Sequence, residues 1–455
     1  MRKIARNSKT KNKLQALLET ARVVDLRFCD LLGRWQQFTI TKRALTQSVL
    51  NQGLGFDGSS FRAWQGIHES DMIIIPDIKT AQLDPFSQNT LVLIGDIYDG
   101  KTKNPYTLDP RQVAKKASAY LKQKNFTAYF GPELEFFIFD NITFGQNGYS
   151  SYYKIDSLPG RVKDGYFTVP PADPMKEIRV EIFLLLEHLG LVLERCHPEV
   201  AAAVQHEINF ERLPLVQAGD AVLLYKYVAR NVAKKYGKIA NFMPKPVADD
   251  NGSGMHLHQS LWHNTTPLFA GQEYAGLSKQ ALYYIGGILA HAPALCAFTN
   301  PTTNSYKRLV PHAEAPTHLT YSERNRSAAI RIPVTPDGNS NPKSKRLEVR
   351  FPDPSANPYL AFAAMLMAGL DGLEKKIHPG KYIEENIYEA NHNLPQLPSS
   401  LSQALEALKQ DNAFLLKGNV FTKDLINNWL DYKQAESARL QREITPLEFE
   451  MYHDA

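Results

Sequence analysis

In Tyr129-Phe-Gly-Pro-Glu-Leu-Glu-Phe-Phe-Ile-Phe139, two glutamates stand two residues apart in an otherwise apolar and aromatic run. Such a run reads as a strand, and its period of two places Glu133, Glu135 and Phe137 on one face, the carboxylates roughly 6 to 7 Å apart at the backbone. Carboxylates in these surroundings are costly to bury unless protonated or met by cations, for which a bound divalent metal is one answer. A solvent-facing edge of an amphipathic strand is the other. Cys196-His-Pro-Glu-Val-Ala-Ala-Ala-Val-Gln-His-Glu207 adds Glu199 and Glu207, a weak signal in isolation. Its histidines, His197 and His206, read as structural rather than as ligands.

Lys245-Pro-Val-Ala-Asp-Asp-Asn-Gly-Ser-Gly-Met-His-Leu-His-Gln-Ser260 is sharper. A turn on Asn251 to Gly254 lets backbone N–H groups approach an anion, and the strand that follows puts His256, His258 and Ser260 on one face. Imidazole suits a divalent metal, and a second histidine and a hydroxyl can donate to phosphate oxygens; a hairpin loop with incidental histidines is the alternative. Between Tyr306 and Arg350 nine basic residues face four acidic ones, and Arg346, Glu348 and Arg350 alternate. A carboxylate between two guanidiniums is either a salt-bridge ladder or a metal ligand beside phosphate-binding arginines. Interleaved prolines and the lack of an RNA-binding aromatic motif speak against nucleic acid. Together these groups suit phosphoryl transfer with oxygen-coordinated metals, where catalysis is positioning and charge neutralisation.

The elements that must position them are of mixed type. Short extended pieces, Val23 to Phe28, Gln36 to Ile40, Met72 to Ile75 and Leu91 to Ile94, predict a small β-rich domain. The turn-rich Asp99 to Pro105 closes it, and Asp109-Pro110 offers an N-cap with proline at the first helical position. Helical stretches over Arg111 to Gln123, Pro174 to Leu189 and Ala221 to Tyr236 then alternate with strands, giving an α+β chain. The expected division is 1–22 as a basic tail and short helix, 23–105 as the small domain and 106–455 as the catalytic one. The chain has 455 residues, with 43% apolar and 22% charged, which excludes a peptide hormone, a disulfide mini-protein and a disordered chain. A net charge of +5 says little about nucleic acid. Cys29, Cys196 and Cys296 are far apart, which fits a reducing cytoplasm rather than a disulfide or thiolate zinc site. Ala281 to Phe298 is apolar but broken by Gly286, Gly287, His291 and Pro293, so a buried helix is expected and no membrane anchor.

Several of these segments resemble glutamine synthetase of the bacterial type I class over about Val23 to Tyr452. Phe56-Asp-Gly-Ser-Ser60 with Glu69-Ser-Asp71, the segment Lys245 to Ser260, Asn300-Pro-Thr-Thr-Asn-Ser-Tyr-Lys-Arg-Leu-Val310 and Arg324-Asn-Arg-Ser-Ala328 carry the resemblance in the family's order. It implies a β-grasp-like amino-terminal domain on a larger catalytic domain with a curved antiparallel sheet and surrounding helices. It also implies dodecamers of two hexameric rings, with active sites between subunits. By resemblance Glu135, Glu199 and Glu207 hold one Mg2+ or Mn2+ ion, and Glu133, His256 and Glu348 hold a second nearer the ATP phosphates. Arg308, Arg326 and Arg350 take glutamate or the transferring phosphoryl group, and Gly252 meets the substrate's α-carboxylate. His258, Ser260, Arg331, Lys343 and Arg346 surround the nucleotide. Asp57 of a neighbouring subunit binds ammonium and takes its proton, and Glu314 lies on a closing flap.

The implied reaction joins ATP, L-glutamate and ammonia into L-glutamine, ADP and phosphate through an acyl phosphate. A related ligase for a larger amine is the runner-up, with Asp57 and Glu314 arguing for ammonia; a non-enzymatic relative would have lost ligands that are all present. Departures from the family pattern are His312-Ala313 before Glu314, Pro198 and Val204 near the second acidic pair, and a longer connector at 335–342. Tyr388, in Asn386-Ile-Tyr388 after Ile377-His-Pro-Gly380, is a candidate for adenylylation, with an unmodified loop tyrosine as the alternative. Gly66, where the feedback-inhibited branch has arginine, points the same way.

Overall fold

A computed structural model of the chain describes all residues except 1, 60, 62–69, 158–161, 203, 312–314, 337–340 and 388–393. The chain opens on a helix, Arg2–Thr20, where the sequence suggested a solvated tail leading into a short helix; Leu14 is buried against the core beyond it. The small domain is a six-stranded sheet. In it Val23–Cys29 lies between Trp35–Thr41, antiparallel, and Thr90–Asp99, parallel, followed by Asp71–Pro76 and Leu54–Asp57. Alternating Val24, Leu26 and Phe28 are all fully buried.

Asp109 caps the next helix, Pro110–Gln123, accepting from the Arg111 N–H while its other oxygen accepts from Ile97 N–H in the small sheet. The Arg111 guanidinium, 2% exposed, bonds Asp77 and Asp96 of the small domain and Asp220 of the large one. One cation thus ties three carboxylates and two domains together. The hairpin at Gly33, with φ of +81°, packs against Asn357, whose Nδ2 donates to the Asp30 and Leu31 carbonyls. At that φ a side chain would be strained, and a Cβ would lie 2.9 Å from the Asn357 Cα.

The large domain is a curved sheet built around the long strand Phe126–Phe139. Leu193–Pro198 and Gln205–Phe210 lie on one side of it, and Met255–His263, Leu347–Val349, Ile330–Ile332 and Tyr321–Glu323 on the other. Helices Leu215–Lys235, Lys279–Thr299 and Pro358–Lys375 cover it, burying an apolar core continuous with the small domain. Lys279–Thr299 is long and apolar enough to cross a membrane by length and composition, yet 83% of its most apolar window is buried inside the protein. It is a core helix.

That helix meets Pro358–Lys375 through glycines. A Cβ on Gly287 would lie 2.2 Å from the Ala368 carbonyl oxygen and 2.7 Å from the Gly372 Cα, both backbone atoms that cannot step aside. Overpacking of this kind costs about 1–3 kcal/mol or more, so Gly287→Ala is expected to lower the urea midpoint visibly. His291 clasps the same helices: Nε2 lies 2.9 Å from Asp371 and Nδ1 2.6 Å from Asp411, with Phe414 stacked on the ring. Burial opposes the imidazolium, but hydrogen bonds to Asp411 and Asp371 outweigh it and raise the histidine's pKa above 6.5. Its stabilising effect is therefore present below about pH 6.5 and lost as pH rises through the raised folded value. Urea titrations of His291→Gln should show a larger destabilisation at pH 6 than at pH 9.

Candidate active site

Strand register decides which side chains share the concave face of the sheet. Glu207 pairs with Glu135 and also with His197, so these three form one row across three strands. His256 pairs with Glu133, and Glu348 pairs with His258 on one side and Arg331 on the other. Directly opposed residues project to the same face. Two clusters result. Glu133, His256 and Glu348 bring ligand atoms within 4.8 Å of one another, as do His197, Glu199 and Glu207. Both line a cleft of about 140 Å³ with Glu135, Gly252, Arg308, Arg326, Arg331 and Arg350.

Glu135 sits between the clusters. One oxygen lies 3.9 Å from His256 Nε2, and the other accepts from Gly254 N–H at 2.8 Å and from Gln205 Nε2 at 3.0 Å. The resemblance groups Glu135 with Glu199 and Glu207, whereas the donors that converge most closely on those two include His197. His197, read from sequence as structural, therefore belongs to the cleft; the signal available was its period-two spacing from Glu199. His206 is structural, fully buried with Nδ1 3.1 Å from Arg179. Gln205, Tyr166 and Phe167 also line the cleft and were not singled out by the sequence, whereas Asn251, from the glycine-rich turn, was.

The charges are unevenly matched. Burial pushes the Glu199 pKa up to about 10, and the nearby charges of Glu135 and Glu207 add to it. Burial and Glu207 raise Glu135 to about 8. Glu348 goes the other way, to about 2: burial opposes ionisation, but Arg350, His258 and Arg331 hold the charge, Arg350 Nη1 and Arg331 Nε each donating at 2.5 Å. Glu133 is also held low against burial by His258 and His256, with His258 Nε2 at 2.8 Å. Burial, then the Arg350 charge, lowers His256, so its imidazole is neutral and a competent metal ligand. A surplus of buried carboxylate oxygen beside neutral imidazole is a donor set that fits divalent cations.

The Gly252 side of the cleft is closely packed. Gly252 allows close approach, since a Cβ there would lie 2.4 Å from the Pro244 carbonyl oxygen and 3.0 Å from Arg308 Cγ. Arg308 is fixed by the Phe351 and Arg350 carbonyls at 2.9 and 3.1 Å, and Arg350 Nε donates to the Arg326 carbonyl. Outside the cleft lining, Arg346 Nε donates to His258 Nδ1 at 3.2 Å. Ser260 accepts from Trp262 Nε1, and exposed Lys343 offers its carbonyl to Arg212. The Arg212 guanidinium lies over the rings of Tyr129 and Trp262 at 5.5 and 5.2 Å, a stack the sequence did not reveal.

Asp57 ends the strand Leu54–Asp57, exposed and absent from the cleft lining, with Ser59 donating to it at 2.7 and 2.8 Å. Those two bonds lower its pKa. Glu314, Tyr388 and Gly66 lie outside the described residues.

Comparison with known proteins decides the family. The family model for the glutamine synthetase catalytic domain matches residues 107–452, and that for the glutamine synthetase beta-Grasp domain matches 20–100. The chain belongs to the glutamine synthetase family. It is 51% identical over 456 residues to glutamine synthetase of Aquifex aeolicus and 49% identical over 463 residues to that of Nostoc sp., with 96% of this chain and 97% of each relative covered. A glutamine synthetase of Plasmodium falciparum solved by cryo-electron microscopy superposes with a TM-score of 0.89 at 28% identity, over 97% of this chain and 98% of that one. A GmaS/ADP complex follows at 0.85 and 28%, over 97% and 99%. The chain is thus a glutamine synthetase, a ligase for ATP-dependent synthesis of glutamine from glutamate and ammonia, in a family that uses ATP and divalent metal. The α+β fold with its β-grasp domain is the one expected.

Proposed function

We propose that the cleft carries the ligation in two steps through γ-glutamyl phosphate, with the residue roles that the resemblance implies. The observation that supports this is the pair of three-donor clusters on one sheet face, flanked by Arg308, Arg326, Arg331 and Arg350. Glu133, His256 and Glu348 would hold one divalent ion, and Glu199 and Glu207, with Glu135 and His197 beside them, the other. Mg2+ or Mn2+ both suit such donors. When bound, the ions supply charge neutralisation to the phosphates and the γ-carboxylate.

The protein's own groups do the rest. Gly252 receives the α-carboxylate of glutamate, with Arg308 behind it. A γ-carboxylate oxygen attacks the terminal phosphorus of ATP, and the bond to the ADP oxygen breaks. Arg326 and Arg350 hold the transferring group, while His258, Ser260, Arg331, Lys343 and Arg346 stand around the nucleotide. Ammonium is captured at Asp57 of a neighbouring subunit, which takes one proton; the freed ammonia attacks the acyl carbon and phosphate leaves. Glu314, on its flap, would exclude water from the activated ester.

Asp57 lies outside the cleft of its own chain, which supports sites shared between subunits in a dodecamer of two hexameric rings. The three cysteines are free, two of them buried, which supports a cytoplasmic setting. The domain division at about residue 105 belongs to the same reading. The acyl phosphate is tested by positional isotope exchange: with glutamate and no ammonia, 18O in the β,γ-bridge of ATP is expected to scramble. ATP recovered without scrambling, while glutamine still forms on adding ammonia, would overturn the two-step order.

A further inference from the structure

Away from the cleft, the helices Leu215–Lys235 and Lys423–Gln441 and the 351–357 turn border a second cavity of about 700 Å³ that is open to solvent, with Arg34, Arg230 and Arg439 exposed. Its walls carry five cationic side chains, Arg34, Lys226, Arg230, Lys433 and Arg439, against one carboxylate, Glu436. Glu436 is engaged by Lys433 at 2.9 Å. The other four cations make no ion pair with a carboxylate among the described residues. Lys226 is the telling member. It is 6% exposed, and its ammonium, which has three N–H donors, makes a single hydrogen bond among the described residues, to the Pro354 carbonyl at 2.6 Å.

The buried carboxylate whose charge acts on Lys226, Asp353, offers little relief. Asp353 is fully buried, and its oxygens already accept from Ser355 at 2.5 and 2.9 Å and from Asn300 at 3.0 Å. A buried ammonium without a counter-charge is costly. Its cost shows in the titration, because burial and the Arg230 charge bring the Lys226 pKa down to about 7. The same cavity offers flat surfaces: the Phe242 ring lies 5.2 Å from the Arg230 guanidinium and 6.0 Å from the Lys226 ammonium.

We propose that this cavity is a second anion site, which takes a small molecule bearing a phosphate group through Lys226, Arg34, Arg230 and Arg439. Three guanidinium forks and an ammonium match the three oxygens and double charge of a phosphate monoester better than a single carboxylate. The volume exceeds that of inorganic phosphate several times, which leaves room for an organic portion against Phe242 and Tyr432. The back wall also touches the glutamate side of the cleft. Lys226 holds the Pro354 carbonyl, and Arg308 holds those of Phe351 and Pro352 in the same turn.

The test is equilibrium dialysis of radiolabelled inorganic phosphate, the smallest member of the class, with the Mg2+-loaded enzyme saturated with ADP at fixed ionic strength. Arg230→Gln/Arg439→Gln is expected to bind one phosphate fewer per chain than the natural protein, with unchanged KM for ATP and glutamate. Lys226→Met, which removes only the buried charge, should weaken the same site at least tenfold. Equal stoichiometry in all three proteins overturns the proposal. So does displacement of that phosphate by an equal concentration of succinate, which would make the cavity a dicarboxylate site.

Discussion

Excess EDTA is expected to abolish ATP-dependent glutamine formation, by at least roughly a thousandfold, and Mg2+ or Mn2+ to restore it. The factor corresponds to about 4 kcal/mol of lost stabilisation, the several kcal/mol that a Lewis-acid cation contributes to charge developing on a phosphoryl or acyl group. The metal-free cleft has a measurable signature of its own. Glu199 and Glu135, raised to about 10 and about 8, carry protons at pH 7 when no cation neutralises them. Metal binding must release those protons, so addition of Mn2+ to unbuffered apo-protein at pH 7 should acidify the solution.

The sign for stability follows from the same shifts. A carboxyl whose folded pKa is raised binds more protons folded than unfolded, so the apo-protein loses stability as pH rises from about 4.5 through the raised values. The metal-loaded protein should not show that loss. Thermal unfolding of apo and loaded protein between pH 5 and 9 checks it, and parallel curves would contradict the assignment of the carboxylates as ligands. Full ligase activity in excess chelator would contradict it directly.

A mixed assembly provides the second large effect. Glu348→Gln removes the charge on which Arg331, Arg350 and His256 converge, and is expected to reduce kcat roughly a thousandfold. Asp57→Ala is expected to impair ammonia-dependent turnover far more than ATP binding, since Asp57 is on the small domain and outside the cleft. If each site draws Asp57 from one subunit and Glu348 from another, co-assembling the two inactive variants regenerates some intact sites. Random pairing restores about a quarter of them, because each natural half is present half the time. Zero recovery in co-purified mixed oligomers would exclude a shared site.

The sequence showed the parts of the site better than their grouping. Glu133 with Glu135, and His256 with His258, were legible because alternation within one strand fixes a face without reference to any other. The pairing of Glu207 with both Glu135 and His197 was not, since register between strands distant in sequence depends on the whole sheet. His197 was not placed in the cleft, because only its spacing from Glu199, and not its pairing with Glu207, is visible in the sequence. Its neighbours in sequence are a cysteine and a proline, while its neighbours in space are Glu199 and Glu207. The Arg212 stack on Tyr129 and Trp262 was hidden in the same way, because it joins side chains far apart in the chain. In the fold, short strands and the Asp109 cap were readable. At the amino terminus a short helix was expected after a basic tail; the helix instead runs through the basic stretch, Arg2–Thr20, because charge composition describes solvation, not backbone conformation.

The exposed position of Asp57 also bears on how the enzyme responds to dilution. If each cleft takes its ammonium-binding acid from a neighbour, its activity is governed by mass action: as the protein is diluted below the dissociation constant of the subunit contact, a growing fraction of clefts loses that acid. Specific activity should then fall with protein concentration while metal and ATP binding persist. Supplying more of any substrate would not recover it, because the missing reactant is the protein itself.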